Sequence, residues 1–298
     1  MMPSHDAGVL VTLDRAAGPA FEAMTFPRFR ALLHDLGDMH VAVGALLAGE
    51  PVGLALASLR ESTDEAEVLS LFVVAEQRGR GFGTRLLTHL QRELARRCCG
   101  SATVSYAADK PSVPALERVL RSCGWETPWP RMYICQSDRR ILEAPIAQRR
   151  VEAPFSIVPW HTVSARDRAA INARQASAGW FPVVLDPFAD EMNIASNSFA
   201  LRHEEAVAGW IITHAVAPDT IRYSSVFVDP RLRNRGLGAA LFGEALRSHD
   251  WDAVPKAIGA IDRSNITMID IMRRELAPYL VRLSETRGSS RSLAAGAE

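Results

Sequence analysis

The sequence is poor in what would mark several classes of function. It has four cysteines in 298 residues, Cys98, Cys99, Cys123 and Cys135. None stands in a CxxC or a Cys/His spacing, which argues against a zinc site or a redox pair, and no metal is expected. No apolar run approaches the roughly 18 residues that a spanning helix needs. The start, Met1-Met2-Pro3-Ser4-His5-Asp6, lacks the basic and apolar regions of a signal peptide. There is no net charge, with 34 Lys+Arg against 34 Asp+Glu, so neither nucleic acid nor an anionic membrane is expected as a partner. These absences leave a soluble cytoplasmic protein with reduced thiols. Its composition, 48% hydrophobic and 23% charged, is globular, and its length suggests two domains of about 150 residues each.

The chain repeats itself. Leu71-Phe72-Val73-Val74-Ala75-Glu76-Gln77-Arg78-Gly79-Arg80-Gly81-Phe82-Gly83 matches Val226-Phe227-Val228-Asp229-Pro230-Arg231-Leu232-Arg233-Asn234-Arg235-Gly236-Leu237-Gly238 at an offset of 155 residues. Ser70/Ser225, Phe72/Phe227, Val73/Val228, Arg78/Arg233, Arg80/Arg235, Gly81/Gly236, Gly83/Gly238 and Leu86/Leu241 are identical pairs at that offset. Glu50-Pro51-Val52 meets Glu205-Ala206-Val207 at the same offset, which suggests matching hairpin turns.

Period-two and apolar runs alternate with helical spacing in each half, as expected of one duplicated α/β unit. The first half reads as strands near 9–13, 40–48, 51–59 and 66–74, then a helix from Gly83 to about Arg97 with Leu86, Leu87, Leu90 and Leu94 on one face. A strand at 101–107, a helix at 113–122 and a strand near 131–136 follow. The second half reads as strands at 155–159, 198–203, 206–214 and 220–228, a helix from Gly238 to about Ser248, a strand at 256–261, a helix at 266–275 and a strand near 279–284. Arg140–Pro154 is polar, with two prolines and no clear period. The domain junction is expected there, giving domains at 1–145 and 146–284. The tail from Glu285 to Glu298, rich in Ser, Gly and Ala, is expected to be disordered.

A strand feeding an Arg-x-x-Gly-x-Gly turn that opens a helix is a device for binding phosphate. Glycines let backbone approach the ligand, successive N–H groups point outward, and the helix start adds positive potential. Arg78, Arg80, Arg233 and Arg235 add formal charge at the same place. A glycine turn with solvated arginines is the plainer reading of one such loop, but two at matched positions argue for a shared ligand. Neither loop continues into the Lys-Ser/Thr of a Walker loop, and Gly79-x-Gly81-x-Gly83 has the wrong spacing for a dinucleotide fingerprint.

What the residues do resemble is the pyrophosphate loop of the GNAT superfamily of acyl-CoA-dependent N-acyltransferases, Arg/Gln-x-x-Gly-x-Gly/Ala after the fourth strand. The resemblance covers nearly the whole chain as two copies, in the tandem layout that mycothiol synthase also has. It implies an α/β fold of two tandem GNAT-like domains, each a mixed twisted sheet flanked by helices, with pantetheine in a splay between the fourth and fifth strands. It further implies acetyl-CoA or another short acyl-CoA as co-substrate and the primary amine of a small molecule as acceptor. Transfer would be direct, in a ternary complex. By matching position, the backbone of Arg78, Gly79, Arg80, Gly81, Phe82, Gly83 and Thr84 would hold the pyrophosphate. So would that of Arg233, Asn234, Arg235, Gly236, Leu237, Gly238 and Ala239. The strand exits Phe72, Val73 and Val74, and Phe227, Val228 and Asp229, would face the thioester. Asn265 matches an Asn that contacts pantetheine or CoA in relatives, and it also reads as an ordinary helix N-cap.

The resemblance is incomplete where catalysis would occur. Relatives often carry a fourth-strand carboxylate as base and a tyrosine, in the helix after the fifth strand, that protonates the leaving thiolate. The matching positions here are Leu69 and Ser70, Ser224 and Ser225, then Leu120 and Met272. Three substitutes are candidates. Glu67 shares a strand face with Leu69 and reads as a base acting through water or as a solvated strand-end carboxylate. Tyr223 reads as an acid, an acceptor contact or a packed side chain. His214 reads as a base or as a turn histidine bonded to backbone. Trp180-Phe181-Pro182, Asp186-Pro187-Phe188 and Glu191 read equally as an acceptor wall or as packing. Two other functions stay open: a non-catalytic CoA-binding protein built on degenerate copies, and an aminoacyl-tRNA-dependent transferase, against which the absence of Lys/Arg runs counts. Which copy is productive is undetermined, with acceptor chemistry preferred in the second. Oligomeric state is not legible.

Overall fold

The computed structural model describes residues 8–60 and 64–293. The chain start read above as lacking a signal peptide, Met1–Asp6, and residues 294–298 of the expected tail lie outside the described residues. The chain divides into two compact units, one of Met1–Arg131 with Thr286–Glu298 and the other of Met132–Glu285.

In the first unit, β1 (Val9–Thr12), β2 (His40–Leu47), β3 (Glu50–Leu59) and β4 (Glu65–Val73) form an antiparallel meander. After β4 come α1 (Phe82–Arg96), β5 (Ser101–Ala107) and α2 (Val113–Ser122). β5 pairs parallel to β4, as a strand returning through a crossover helix must. The leucine stripe expected on α1 is its core face: Leu86, Leu87, Leu90 and Leu94 are buried against Val43, Ala55 and Ala57 of the sheet. Two 3-10 stretches, Gly18–Met24 and Pro27–His34, link β1 to β2 and cover the other sheet face with Phe21, Met24 and Leu33.

The second unit repeats this order. After β6 (Trp129–Ser137) come β7 (Phe155–Pro159), α3 (Ala165–Ala178), β8 (Phe199–His203), β9 (Ala206–Ala217) and β10 (Thr220–Val228). α4 (Leu237–Arg247), β11 (Lys256–Asp262), α5 (Ile266–Ile271) and β12 (Leu280–Ser292) as far as Glu285 complete it. β7 to β10 are antiparallel neighbours and β11 is parallel to β10. α3 opens with a capping box between Ser164 and Asp167 and closes on left-handed Gly179. One face of this sheet carries an aromatic cluster of Trp160, Trp180, Phe181, Trp210 and Phe227, and the other packs α4.

Four expectations need correction. The matching hairpins align one residue later than read: β2–β3 turns at Ala48–Gly49 between Leu47 and Glu50, and β8–β9 turns at Glu204–Glu205 between His203 and Ala206. The expected helix over 266–275 stops at Ile271 and continues as a π turn over Met272–Leu276. The segment read as the domain junction is packed structure of the second unit, as 3-10 turns over Arg139–Glu143 and Pro145–Gln148 bury Ile141, Ala144, Ile146 and Ala147 against Leu246, Trp251 and Met272. Such short turns expose no period that a sequence pattern would register. A Cβ on Gly243 of α4 would stand 2.5 Å from the Ile146 carbonyl oxygen, which shows how close the packing is.

The tail is the fourth correction. Residues 285–292 are the second half of β12, and Thr286–Ser292 pair antiparallel with β5, from Thr286 opposite Ala107 to Ser292 opposite Ser101. Met132–Ser137 of β6 pair in the same way with β11, from Met132 opposite Asp262 to Ser137 opposite Ala257. Ala107 and Asp262 are 155 residues apart, so the copies have exchanged terminal strands at equivalent ladder positions, and each unit is closed by chain from the other copy. Within the first unit the guest strand is held by more than the ladder: Ser289 Oγ donates to Glu126 O at 2.7 Å, Ser290 Oγ to Glu126 Oε2 at 2.6 Å, and Arg287 to Glu117 at 2.9 Å.

A chain ended at Glu285 therefore loses a paired strand rather than a loose tail. Calorimetric unfolding is expected to show a Tm lower by about 10 °C or more, the loss of a few kcal/mol in a domain of this size, with aggregation through the bared edge of β5. An unchanged Tm would contradict the pairing.

Candidate active site

Each unit contains a fork. β4 and β5 pair only from Glu65/Ser101 to Val68/Val104, and β10 and β11 only from Thr220/Lys256 to Tyr223/Gly259. Beyond these points each pair separates. A single-residue irregularity sits at the same place: β4 slips against β3 past Leu69, and β10 slips against β9 past Ser224. Leu69 and Ser224 are 155 residues apart. Such a bulge breaks strict alternation and sends two successive side chains to one face. Tyr223 and Val226 pack on the α4 side, and Ser224 and Ser225 between them both line a cavity on the opposite side.

The glycine loops lie past each fork. Gly79 and Gly81 have φ of 77° and 82°, and Asn234 and Gly236 have φ of 65° and 74°. Asn234, which departs from the glycine of the first copy, keeps the left-handed geometry that asparagine tolerates better than most residues. Gly81 and Gly236 are the N-caps of α1 and α4, and no side chain caps either helix. Helical bonding starts with Arg85 N–H to Gly81 O and Ala240 N–H to Gly236 O. The N–H groups of Phe82, Gly83, Thr84 and of Leu237, Gly238, Ala239 precede it, the usual unsatisfied donors of a helix start. A Cβ on Gly79, Gly81 or Gly236 would meet nothing within 4 Å, so open space adjoins the backbone.

The arginines differ in their commitments. Arg78 Nε donates to Val73 O at 3.0 Å and Arg80 Nη1 to Gln77 Oε1 at 2.7 Å. Among the described residues, Arg233 and Arg235 have no ion pair or side-chain hydrogen bond. Phe82, Phe227 and Leu237 are buried in the cores, and Phe72, Val73, Val74 and Val228 are half-buried against them. Both loops thus fit a small polyanion such as the CoA pyrophosphate: open approach, helix-start donors and cationic side chains.

Of the three catalytic candidates, the structure brings His214 to the fork. His214 is buried, its Nε2 lies 3.1 Å from Ala189 O and its Nδ1 lies 2.6 Å from Ser224 Oγ. A carbonyl only accepts, so Nε2 carries a proton, which in the neutral ring leaves Nδ1 to accept from the Ser224 hydroxyl. Arg222 Nε donates to the same Ser224 Oγ at 2.9 Å. The cavity has a volume of about 220 Å³, with Ser224 and Ser225 of β10, Ala260 of β11, His214 of β9, and Asp186 and Asp190 of the segment before β8 in its walls. Ser225 Oγ is buried and has no hydrogen-bond partner among the described residues.

The other two candidates stand elsewhere. The Tyr223 hydroxyl points into the α4 side of the sheet, where Asn197 Nδ2 donates to it at 3.3 Å and His249 Nδ1 lies 3.1 Å away. Burial holds its phenol well above the ordinary range, and it is a packed side chain. Glu67 sits on the paired part of β4 before the fork, 4.0 Å from Arg60, and is a strand-end carboxylate. Asn265 caps α5, accepting from Met268 N–H at 3.1 Å. Trp180 and Phe181 belong to the aromatic core, so the segment is packing at its start and cavity wall at Asp186. Sequence reasoning gives Asp186 as acceptor wall or packing and Ser224 only as a position without the expected carboxylate, and it does not single out Arg222 or Asp190. The signal for Ser224 is its place at the matched fourth-strand position, a serine where relatives often carry a carboxylate.

The first copy lacks this group. At the ladder position of His214, opposite Arg222, stands Ser58, opposite Glu67. The bulged residue is Leu69, packed with the apolar cluster of Phe21 and Leu33.

The profile of the acetyltransferase (GNAT) family matches residues 10–125 and again residues 167–265. No curated protein matches the sequence. Among solved structures, the chain is similar to a tandem GNAT protein from the clavulanic acid biosynthesis pathway at TM-score 0.64 and 16% identity, with 97% of this chain and 100% of that chain covered. A GCN5-related N-acetyltransferase from Sphaerobacter thermophilus is similar at TM-score 0.59 and 18% identity, over 100% and 99%. Another from Kribbella flavida reaches TM-score 0.53 and 14% identity, over 82% and 88%. At these identities the likeness is one of fold. Among the described residues, no helix is long and apolar enough to cross a membrane, and no group of three His, Cys, Asp or Glu is placed to hold a metal ion.

The second loop has one fixed anchor. Asp229, with its side chain 3% exposed, accepts from Arg231 N–H at 3.0 Å, from Arg231 Nη2 at 2.8 Å and from Arg174 Nη2 at 2.6 Å. Arg174 in turn lies 3.8 Å over the Trp180 ring. The Arg231 hydrogen bond, followed by the Arg174 contacts, holds the Asp229 carboxyl far below the usual carboxylate range. A depressed folded pKa means stability that is present above the unfolded pKa and lost as pH falls toward the folded one. Asp229→Asn is expected to cost about 2 kcal/mol at neutral pH, as for lost bonds between charged groups. Thermal unfolding should show the gap from wild type narrowing below roughly pH 4. A gap that does not change with pH would refute this role of the carboxylate.

Proposed function

The chain belongs to the acetyltransferase (GNAT) family, and from that premise we propose that it moves an acetyl or similar short acyl group from CoA to the primary amine of a small molecule, with the second copy as the productive site. The observation that carries this reading is the contact of buried His214 with the bulged Ser224 at the mouth of the β10–β11 fork. The other requirements of direct transfer are grouped around it.

The acyl-CoA enters with its pyrophosphate on the backbone of Arg233–Ala239 and its pantetheine along the fork, so that the thioester lies beside Ser224 and Ser225. Past Tyr223 the β11-facing edge of β10 is unpaired among the described residues, while the other edge stays on β9, and N–H groups on the unpaired edge are donors for the thioester carbonyl, where negative charge grows during attack. The acceptor amine gives a proton to Ser224 Oγ as the serine proton passes to His214 Nδ1. Ala189 O keeps the ring oriented through Nε2. The amine nitrogen forms the new C–N bond, the C–S bond breaks, and CoA leaves as a thiolate that takes a proton from solvent. Proximity and a positioned base supply the acceleration, and no covalent enzyme intermediate is needed.

The first copy has the glycine loop and the fork without the imidazole and hydroxyl. Leu69 and Ser58 favour a second reading for that copy alone, namely CoA binding or a structural role without turnover.

Thiol release from acetyl-CoA with a panel of small amines tests the assignment. Gly236→Asp is expected to lower kcat/KM by about 100-fold or more and Gly81→Asp by only a few-fold. Both glycines are left-handed N-caps, so strain is common to the two and the difference reports ligand repulsion. His214→Gln is expected to lower kcat by about 100-fold or more, the usual scale for a general base. The reverse order of the glycine variants, or full activity without the imidazole, would overturn the assignment.

A further inference from the structure

The cavity beside Ser224 holds charged side chains that make no ion pair among the described residues. Arg222 lies on its wall, and its one hydrogen bond is from Nε to Ser224 Oγ. It makes no ion pair among the described residues, which leaves both terminal nitrogens of the guanidinium as a fork of donors. Asp186 and Asp190 share the cavity. Asp186 Oδ1 accepts from Phe188 N–H at 2.9 Å and Asp190 Oδ1 from Asn193 Nδ2 at 2.7 Å. Neither carboxylate is paired with a cation among the described residues.

Two other carboxylates of this unit are ion-paired, Asp167 with Arg202 at 2.6 Å and Asp229 with Arg174 and Arg231. A lone cation and two lone carboxylates within one cavity of about 220 Å³ are complementary to a small molecule that carries both signs.

From these charges, and resting on the proposed acyl transfer at this site, we infer that the acceptor is an α-amino acid, its carboxylate on the Arg222 fork and its amino group at Ser224. Planar guanidinium matches carboxylate through two parallel N–H···O bonds. Nε at 2.9 Å from Ser224 Oγ fixes that fork beside the hydroxyl that accepts the amine proton, so the two ends of the acceptor must be separated by very few bonds. Asp186 and Asp190 attract the ammonium form on entry. Val184, 84% exposed on the same wall, favours an apolar side chain on the amino acid. The first copy has Glu67 where the second has Arg222, the wrong sign for the same ligand.

Two measurements on the full chain test the inference separately from the reaction. The first is thiol release from acetyl-CoA with matched acceptors: apolar α-amino acids, their α-amides and the amines that lack the carboxylate. The second is calorimetric titration of the same acceptors into protein saturated with CoA. The amino acids are expected to exceed their amides and amines by about 10- to 100-fold in kcat/KM and in affinity, the scale of a charged hydrogen-bonded pair. Arg222→Lys, which keeps the charge and loses the fork, should collapse that preference, mainly through KM.

Turnover of all three acceptor types at similar efficiency, with a ratio that Arg222→Lys does not change, would overturn the inference and leave acyl transfer standing. Arg222-dependent binding of amino acids without turnover would support the carboxylate site on Arg222 and overturn the amino acid's role as acceptor together with the catalytic reading. No binding of amino acids in the presence of CoA would overturn the inference whatever the other acceptors do.

Discussion

One extra residue in a strand sets the geometry of each unit. At Leu69 and Ser224 the fourth strand of the copy slips against its antiparallel neighbour, and just there it parts from its parallel neighbour. A ladder that continued in register would leave no gap, and its side chains would alternate so that Ser224 and Ser225 faced opposite ways. The bulge turns both toward the cavity, frees a strand edge, and still lets the chain run into a left-handed turn and a helix start. The loop, the fork and the polar wall follow from that one departure from regularity.

The duplication shows which parts of the unit are constrained and which are free. Backbone geometry is held even where the residue changes: Asn234 replaces a glycine and keeps φ of 65°. Side chains at the bulge are not held. Leu69 packs into an apolar cluster, while Ser224 meets His214. The first unit thus retains the fork with an apolar lining and the second carries the titratable group. Asp229, which ties the second loop to α3 through Arg174, has Val74 as its counterpart, so the anchoring as well as the chemistry has moved to the second copy.

The exchange of terminal strands imposes a different constraint. Each fifth strand would be a bare edge without Met132–Ser137 or Thr286–Ser292 beside it, and bare edges invite pairing with other chains. Covering each with chain from the other copy makes neither half complete alone. A 155-residue repeat therefore does not translate into two contiguous domains, and the division at Arg131 and Thr286 is a consequence of pairing rather than of composition.

Much of the architecture was legible before any coordinates. The α1 leucines at 86, 87, 90 and 94, the alternating strands and the two Arg-x-x-Gly-x-Gly turns are local patterns, fixed by periodicities of 3.6 and 2 and by the few residues that accept a left-handed turn. These determined the element order, the duplication and the position of the two glycine loops. Only the tertiary structure decided that β12 extends to Ser292, because a polar Ser/Gly/Arg run becomes a strand when a partner edge accepts its hydrogen bonds. It alone decided that Tyr223 faces the core while His214 reaches Ser224. Which side chain meets which across a bulge depends on a one-residue slip between strands, and such a slip leaves no trace in the order of residues.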